Sequence, residues 1–202
     1  MSKRINIVIC LAALGMVVLL GSACGTEPGS TSNNSAAKVE DTKTPPSDKG
    51  DQVVTGGDLA FMMDAAPGGI AEVELGRLAT KQAASKEVKQ FAERMITDHT
   101  KAGDELKQLA QQKKVVLPRE VNPKHKEVMD KLSKLKGAEF DREYVKAMVM
   151  DHEKDVTAFE ATAKGAVDAD VKAFAAKTLP TLKEHLQMIR EMEAKMGGKA
   201  KP

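Results

Sequence analysis

From Asp58 to Met196 the apolar residues recur at helical spacing, and nowhere in that stretch does an alternating apolar and polar pattern persist. A chain patterned this way buries its apolar stripes by laying helices side by side, so the expected class is all-α. A first segment, Asp58 to Ala66, is expected to break at Pro67-Gly68-Gly69, with a helix resuming near Ile70 and ending near Ala84. Ala71, Leu75, Leu78, Ala79 and Gln82 form its stripe, flanked by Glu72. Ser85 as N-cap and Glu87 as a first-turn acid open a second helix, with Val88, Phe91, Ala92, Met95, His99, Ala102, Leu106 and Leu109 on one face.

Lys113 to Gly137 joins the two halves. Pro118 and Pro123 interrupt this connector, a short helix over His125 to Leu135 lies within it, and Gly137 is placed as a C-cap. Glu139 to Lys164 is read as a third long helix presenting Tyr144, Val145, Met148, His152, Val156, Phe159 and Ala163. Asp168 caps the fourth, which turns Val171, Phe174, Ala175, Leu182, His185, Ile189 and Met192 inward and is expected to kink at Pro180. Val88-Lys89-Gln90-Phe91-Ala92 and Val171-Lys172-Ala173-Phe174-Ala175 form a weak internal repeat, each after a turn and a capping residue. Two helical hairpins joined by a long crossover connector give a ferritin-like four-helix bundle.

Three of the four histidines, His99, His152 and His185, fall on the apolar stripes of three different helices, and Glu72 edges a fourth. From the helical rise, Glu72 and His99 lie roughly 20 Å from the first turn, and His152 and His185 roughly 22 to 28 Å from the second. In a crossover bundle about 40 Å long, with its turns at opposite ends, these depths converge near the middle. Glu72, His99, His152 and His185 are therefore the candidate metal ligands.

The Glu-x-x-His motif of di-iron bundles is absent, and His152-x-x-Asp155 is the nearest substitute. Asp98-His99, Asp151-His152 and Glu184-His185 are neighbours whose side chains diverge, so each acid is placed to orient a histidine from another helix. Met95, Met148 and Met188 stand one turn from the three histidines, and thioether with imidazole suits copper, with iron and zinc as alternatives. The competing expectation is that the histidines are neutral, hydrogen-bonded and structural, and that the methionines only fill the core. A pH-responsive role is the third. His125 is expected to be exposed and without partners.

The N-terminus reads as an export signal over residues 1–23, with Lys3 and Arg4, an apolar run from Ile7 to Leu20, and the small residues Gly21, Ser22 and Ala23. Leu20-Gly21-Ser22-Ala23-Cys24 resembles a bacterial lipoprotein box in which Cys24 is acylated, although Gly21 stands where leucine is preferred. Cys10 leaves with the signal, so Cys24 is the sole cysteine of the mature chain and has no internal partner. Residues 24–57 are rich in Gly, Ser, Thr, Asn and Pro and are read as a disordered tether; residues 58–196 form the bundle and 197–202 a tail.

Without Lys3 and Arg4, basic residues equal the 29 acidic ones, and aromatics are limited to five Phe and one Tyr. That composition argues against nucleic acid as a partner. No nucleophile elbow, phosphate loop or Cys-His pairing is present, so an enzyme is not expected.

Gly69, Glu72, Leu75-Gly76, Asp98-His99-Thr100, Leu135-Lys136-Gly137, Tyr144-Val145, His152 and the Leu179-Pro180 to His185-Leu186 run form a pattern that extends from Phe61 to Met196. In these residues the chain resembles the bacterial family known as domain of unknown function 4142, described as exported or outer-membrane proteins. It implies a ferritin-like bundle and sets Glu72, His99, His152 and His185 at motif positions, and it brings no activity or ligand. The leading functional expectation is a lipid-anchored envelope protein, most simply on the outer membrane facing the periplasm. In that reading it is a non-enzymatic binding or stress-associated module acting through its surface; the alternative is a metal-binding or redox bundle built on the Glu/His core.

Overall fold

The computed structural model describes Val54 and residues 56–197, so the signal segment, Cys24 and most of the tether lie outside the described residues. Five helices follow in order: α1 (Gly56–Gln82), α2 (Lys86–Gln112), α3 (Pro123–Ser133), α4 (Gly137–Gly165) and α5 (Ala169–Gly197). Among the described residues there is no strand, and no helix is long and apolar enough to cross a membrane. Val54, which composition assigns to the tether, is buried, and Gly56 and Gly57 are already helical.

Helix α1 packs on α2 and α4 on α5, and the hairpins meet through α1 with α4 and α2 with α5. The hairpin ends show the direction of each helix. Ala83, just after α1, bridges Gly137 at the start of α4. At the opposite end Asp58, in the first turn of α1, accepts hydrogen bonds from the backbone N–H groups of Val167 (2.9 Å) and Asp168 (2.7 Å) between α4 and α5. The connector therefore travels the length of the bundle, and α3 lies against α1 and α4 on the way. All adjacent long helices are antiparallel, the crossover arrangement expected from the two hairpins.

Each turn is held by an aspartate from the other hairpin. Asp141 of α4 accepts from the N–H groups of Ala84 (3.1 Å) and Ser85 (2.8 Å), as Asp58 does at the other end. Asp58 and Asp141 stand 83 positions apart in the sequence, as do Ser85 and Asp168, Val88 and Val171, and Phe91 and Phe174. The repeat thus extends through whole hairpins. Ser85 and Asp168 both cap: the Ser85 hydroxyl accepts from Val88 N–H, and an Asp168 carboxylate oxygen accepts from Asp170 and Val171 N–H. Lys113, at the end of α2, grips the other Asp168 oxygen at 2.7 Å.

The break expected at Pro67-Gly68-Gly69 does not occur, and α1 runs through it. Proline removes one helical hydrogen bond, to the carbonyl of Met63, and Met63 is exposed, so water can satisfy that group. Burial of Phe61 and Met62 on one side and of Ala71, Leu75 and Ala79 on the other outweighs the break, at roughly 1.5–3 kcal/mol for each large side chain. Helix α5 likewise continues through Pro180, which is exposed together with Ala176, the residue whose carbonyl it leaves free. Gly137 is not the C-cap of α3, which closes at Lys134; with a φ of 64° it forms the left-handed corner that opens α4.

The core is divided. One apolar cluster, around Leu75, Phe91, Phe140, Tyr144 and Ile189, fills the end that holds the α1–α2 turn. Another, around Phe61, Leu106, Phe159, Phe174 and Leu182, fills the end that holds the α4–α5 turn. Between the clusters lies a layer of buried ionisable side chains.

Candidate metal centre

The layer contains Glu72 from α1, His99 from α2, His152 from α4 and His185 from α5, none more than 6% exposed. The structure brings all four residues proposed from the sequence together. The imidazole rings of His99, His152 and His185 have centroids 5.3 to 5.7 Å apart. Each ring has one nitrogen occupied. His99 Nδ1 lies 2.7 Å from Glu72 Oε2, His152 Nδ1 lies 3.0 Å from the Met148 carbonyl oxygen, and His185 Nε2 lies 2.9 Å from Asp98 Oδ2. Assigning the ring proton to the nitrogen that faces each acceptor makes those three the donors.

The opposite nitrogens, His99 Nε2, His152 Nε2 and His185 Nδ1, are buried and have no hydrogen-bond partner among the described residues. A donor atom from each ring falls within 4.8 Å of the others. Each ring thus has its far side fixed by an acceptor and carries one buried nitrogen without a hydrogen-bond partner among the described residues. That is how proteins orient imidazole for a metal, and leaving three such acceptors unpaired in a core otherwise costs on the order of 1–3 kcal/mol each.

The electrostatics keep these nitrogens basic in name but uncharged. Burial pulls His152 down to about 3, with His99 and His185 alongside adding to it, and burial pulls His185 down to about 4 against the upward effect of Asp98. His99 is lowered by burial too. Glu72 is raised well above the usual carboxylate value, first by burial and then by the charge of Asp151, and Asp155 is raised by burial and by Glu72 itself. The layer is held with neutral imidazoles, the form that binds metals.

Glu72 divides its oxygens. Oε2 serves His99, Oε1 stands 3.6 Å from His152 Nε2, and Asp155 hydrogen-bonds the Glu72 carboxyl from across the bundle. Glu72 thus stands beside the three rings in the position of an orienting acceptor.

Of the neighbouring acids, Asp98 orients a histidine from another helix as expected, and Arg94 braces it at 3.3 Å. Glu184 pairs with Arg94 instead. Asp151 takes His125 at 3.5 Å, so His125 is neither exposed nor without a partner; it is tucked between α3 and α4, with Gly68 of α1 close by. Tyr144 stacks on Phe140 at 5.6 Å and donates to no histidine. Asp155 was visible in the sequence only as an imperfect motif. Its position becomes legible from the hairpin repeat, since it lies 83 positions after Glu72 and meets it across the bundle.

Among solved structures, a DUF305 protein from Streptomyces coelicolor superposes with a TM-score of 0.60 at 14% identity, covering 70% of this chain and 94% of its own. A DUF305 fragment from Deinococcus radiodurans gives 0.61 at 12% identity over 70% of this chain and 97% of its own. CopM in its Cu(II)-bound form gives 0.59 at 18% identity over 68% of this chain and 96% of its own. At these identities the likeness is one of fold. No curated protein sequence matches the chain. A family model covers residues 43–192, most of the length, and the chain accordingly belongs to that family, described as domain of unknown function DUF4142.

Proposed function

We infer that this protein is an exported, non-enzymatic module that holds one copper ion on His99 Nε2, His152 Nε2 and His185 Nδ1. One observation carries the reading: three buried imidazoles from three helices meet with a nitrogen of each within 4.8 Å of the others, and each ring has one nitrogen tied down and the other without a partner among the described residues. Sequence alone favours a module acting through its surface. The orphaned nitrogens instead favour the core, because a structural histidine layer gains nothing by leaving its acceptors empty.

The donor set selects the metal. Neutral imidazole nitrogen suits copper, zinc, nickel and iron and disfavours magnesium and calcium, and copper ranks highest in affinity among the divalent ions for such a site. CopM, a neighbour in fold, is described in a Cu(II)-bound form, which supports copper over zinc. Glu72 and Asp98 would fix the rings, and the apolar clusters on either side would exclude competing water.

Export with acylation of Cys24 completes the proposal, placing the bundle at the outer membrane on a tether. The lipoprotein-type box supports it, as does the description of the Streptomyces neighbour as a secreted protein. The test is elemental analysis of protein purified without chelator and without a histidine tag, then reconstituted anaerobically with Cu(I), Zn(II) or Fe(II). About one equivalent of copper, retained in preference to zinc, is the expected result for a three-imidazole site. Protein that retains none of the three after reconstitution would leave the histidines structural.

A further inference from the structure

The 83-residue repeat makes the two hairpin seams, α1 against α2 and α4 against α5, directly comparable. In the first seam Gly76 permits close approach: a Cβ there would stand 2.9 Å from Ile96 Cγ1 and 3.0 Å from the Ala92 carbonyl oxygen. Further along the same antiparallel seam Gly69 of α1 and Gly103 of α2 occupy matching register, and a Cβ on either would meet nothing within 4 Å. Packing does not demand glycine at those two positions. In the second seam their repeat partners are His152 and Leu186, both buried. One hairpin is plugged by an imidazole and a leucine where the other is left open.

What lies behind the gap gives it a purpose. An open groove of about 660 Å³ runs between α1, α2 and the first part of the connector, and its wall reaches His99. A smaller cavity of about 40 Å³ lies deeper, bounded by Glu72, His99 and Asp155. Gly69, His99 and Gly103 line both spaces. At the inner end His99 Nε2 has no partner among the described residues, on a side chain only 7% exposed, and the Glu72 carboxyl beside it is met by that of Asp155.

The geometry points to the Gly69–Gly103 gap as the entrance by which a metal cation reaches the histidine layer, with the Glu72–Asp155 carboxyl pair and His99 Nε2 the first donors it meets. This rests on the reading that the layer takes a metal. A cation leaving water needs replacement donors along its path, and a carboxylate oxygen followed by imidazole nitrogen supplies them in order of increasing preference for copper. In the second seam the matching positions are filled by His152 and Leu186.

The test uses the full chain with Gly103→Leu, a substitution into open space that also replaces a poor helix former with a good one. Metal-free protein is mixed anaerobically with Cu(I) presented by a weak chelator, and uptake is followed in time. The variant is expected to load more slowly by roughly tenfold or more while reaching the same final copper content. Loading at the wild-type rate by a folded variant overturns the entrance. A second readout needs no metal: carbethoxylation of each histidine by diethyl pyrocarbonate, followed by mass spectrometry. His99 should be protected by a similar factor in Gly103→Leu, with His125, outside the seam, unchanged. Equal His99 reactivity in both proteins overturns the entrance. If wild type takes up no copper, the proposed function fails by itself, and protection of His99 still supports the opening.

Discussion

Replacing His152 with Ala is expected to empty the metal centre and to lower the stability of the metal-free protein by about 2–4 kcal/mol, the range for truncating a fully buried side chain. His152 is 0% exposed: Nδ1 meets the Met148 carbonyl, Nε2 lies 3.6 Å from Glu72 Oε1, and the ring centroid lies 5.7 Å from that of His99 and 5.5 Å from that of His185. Losing one of three ligands should weaken copper binding by at least about a hundredfold, on the scale of several kcal/mol for an inner ligand. Copper titration and urea unfolding measure the two effects separately. A purely structural histidine would show the stability loss alone.

The same pair of proteins carries a pH signature. In the folded wild type His152 is held near 3, whereas in the unfolded chain it titrates at the ordinary histidine value of about 6.5. Below that value the unfolded state binds a proton that the folded state refuses, so acid destabilises the wild type through this residue. The alanine variant lacks the term. The stability difference between metal-free wild type and His152→Ala should therefore shrink by up to about 1.4 kcal/mol per pH unit as pH falls below 6.5. Glu72 and Asp155, raised rather than lowered, act in the opposite direction but are present in both proteins. Chemical denaturation at several pH values gives the comparison, and a difference that stays constant would mean that the ring is already charged when folded.

The second large effect lies at the α1–α2 turn. Asp141→Ala should destabilise the protein by about 2–4 kcal/mol, because two backbone donors, Ala84 and Ser85 N–H, lose a charged acceptor at a site where the carboxylate is only 5% exposed. Asp141→Asn, which keeps one acceptor oxygen, should lose about half as much. The urea midpoint is expected to drop in that order. The loss should appear without any change in copper content, since Asp141 lies at the end of the bundle away from the histidine layer. If Asp141→Ala were neutral, the aspartate would not be fastening one hairpin to the other.

Much of this arrangement could be read in the chain. The stripes placed His99, His152 and His185 inward because a 3.6-residue period with so few interruptions leaves little freedom in register, and the turn residues Ser85 and Asp168 set the depth of each helix. The readings that failed depended on balances no local pattern records. Pro67 and two glycines look like a break, but the proline frees only a carbonyl on an exposed residue while large side chains on both flanks stay buried. His125 looked solitary because its partner, Asp151, comes from another helix.

Which nitrogen of each ring is free was equally out of reach. His152 is tied by its own helix, His99 by α1 and His185 by α2, so the pattern of tautomers exists only after the helices have met. Asp155 was hidden for a different reason. Its significance comes from the 83-residue repeat that pairs it with Glu72, and that repeat is too diverged to stand out beyond the capping segments until the structure aligns the hairpins.

A copper centre in this bundle requires three nitrogens closing on one ion, and ¹⁵N NMR of the histidine rings reads them individually. On adding one equivalent of Cu(I) to metal-free protein, the resonances of His99 Nε2, His152 Nε2 and His185 Nδ1 should move together while their opposite nitrogens keep their protons and the His125 ring stays unchanged. Movement of His125 instead, or no movement among the three, would contradict the centre.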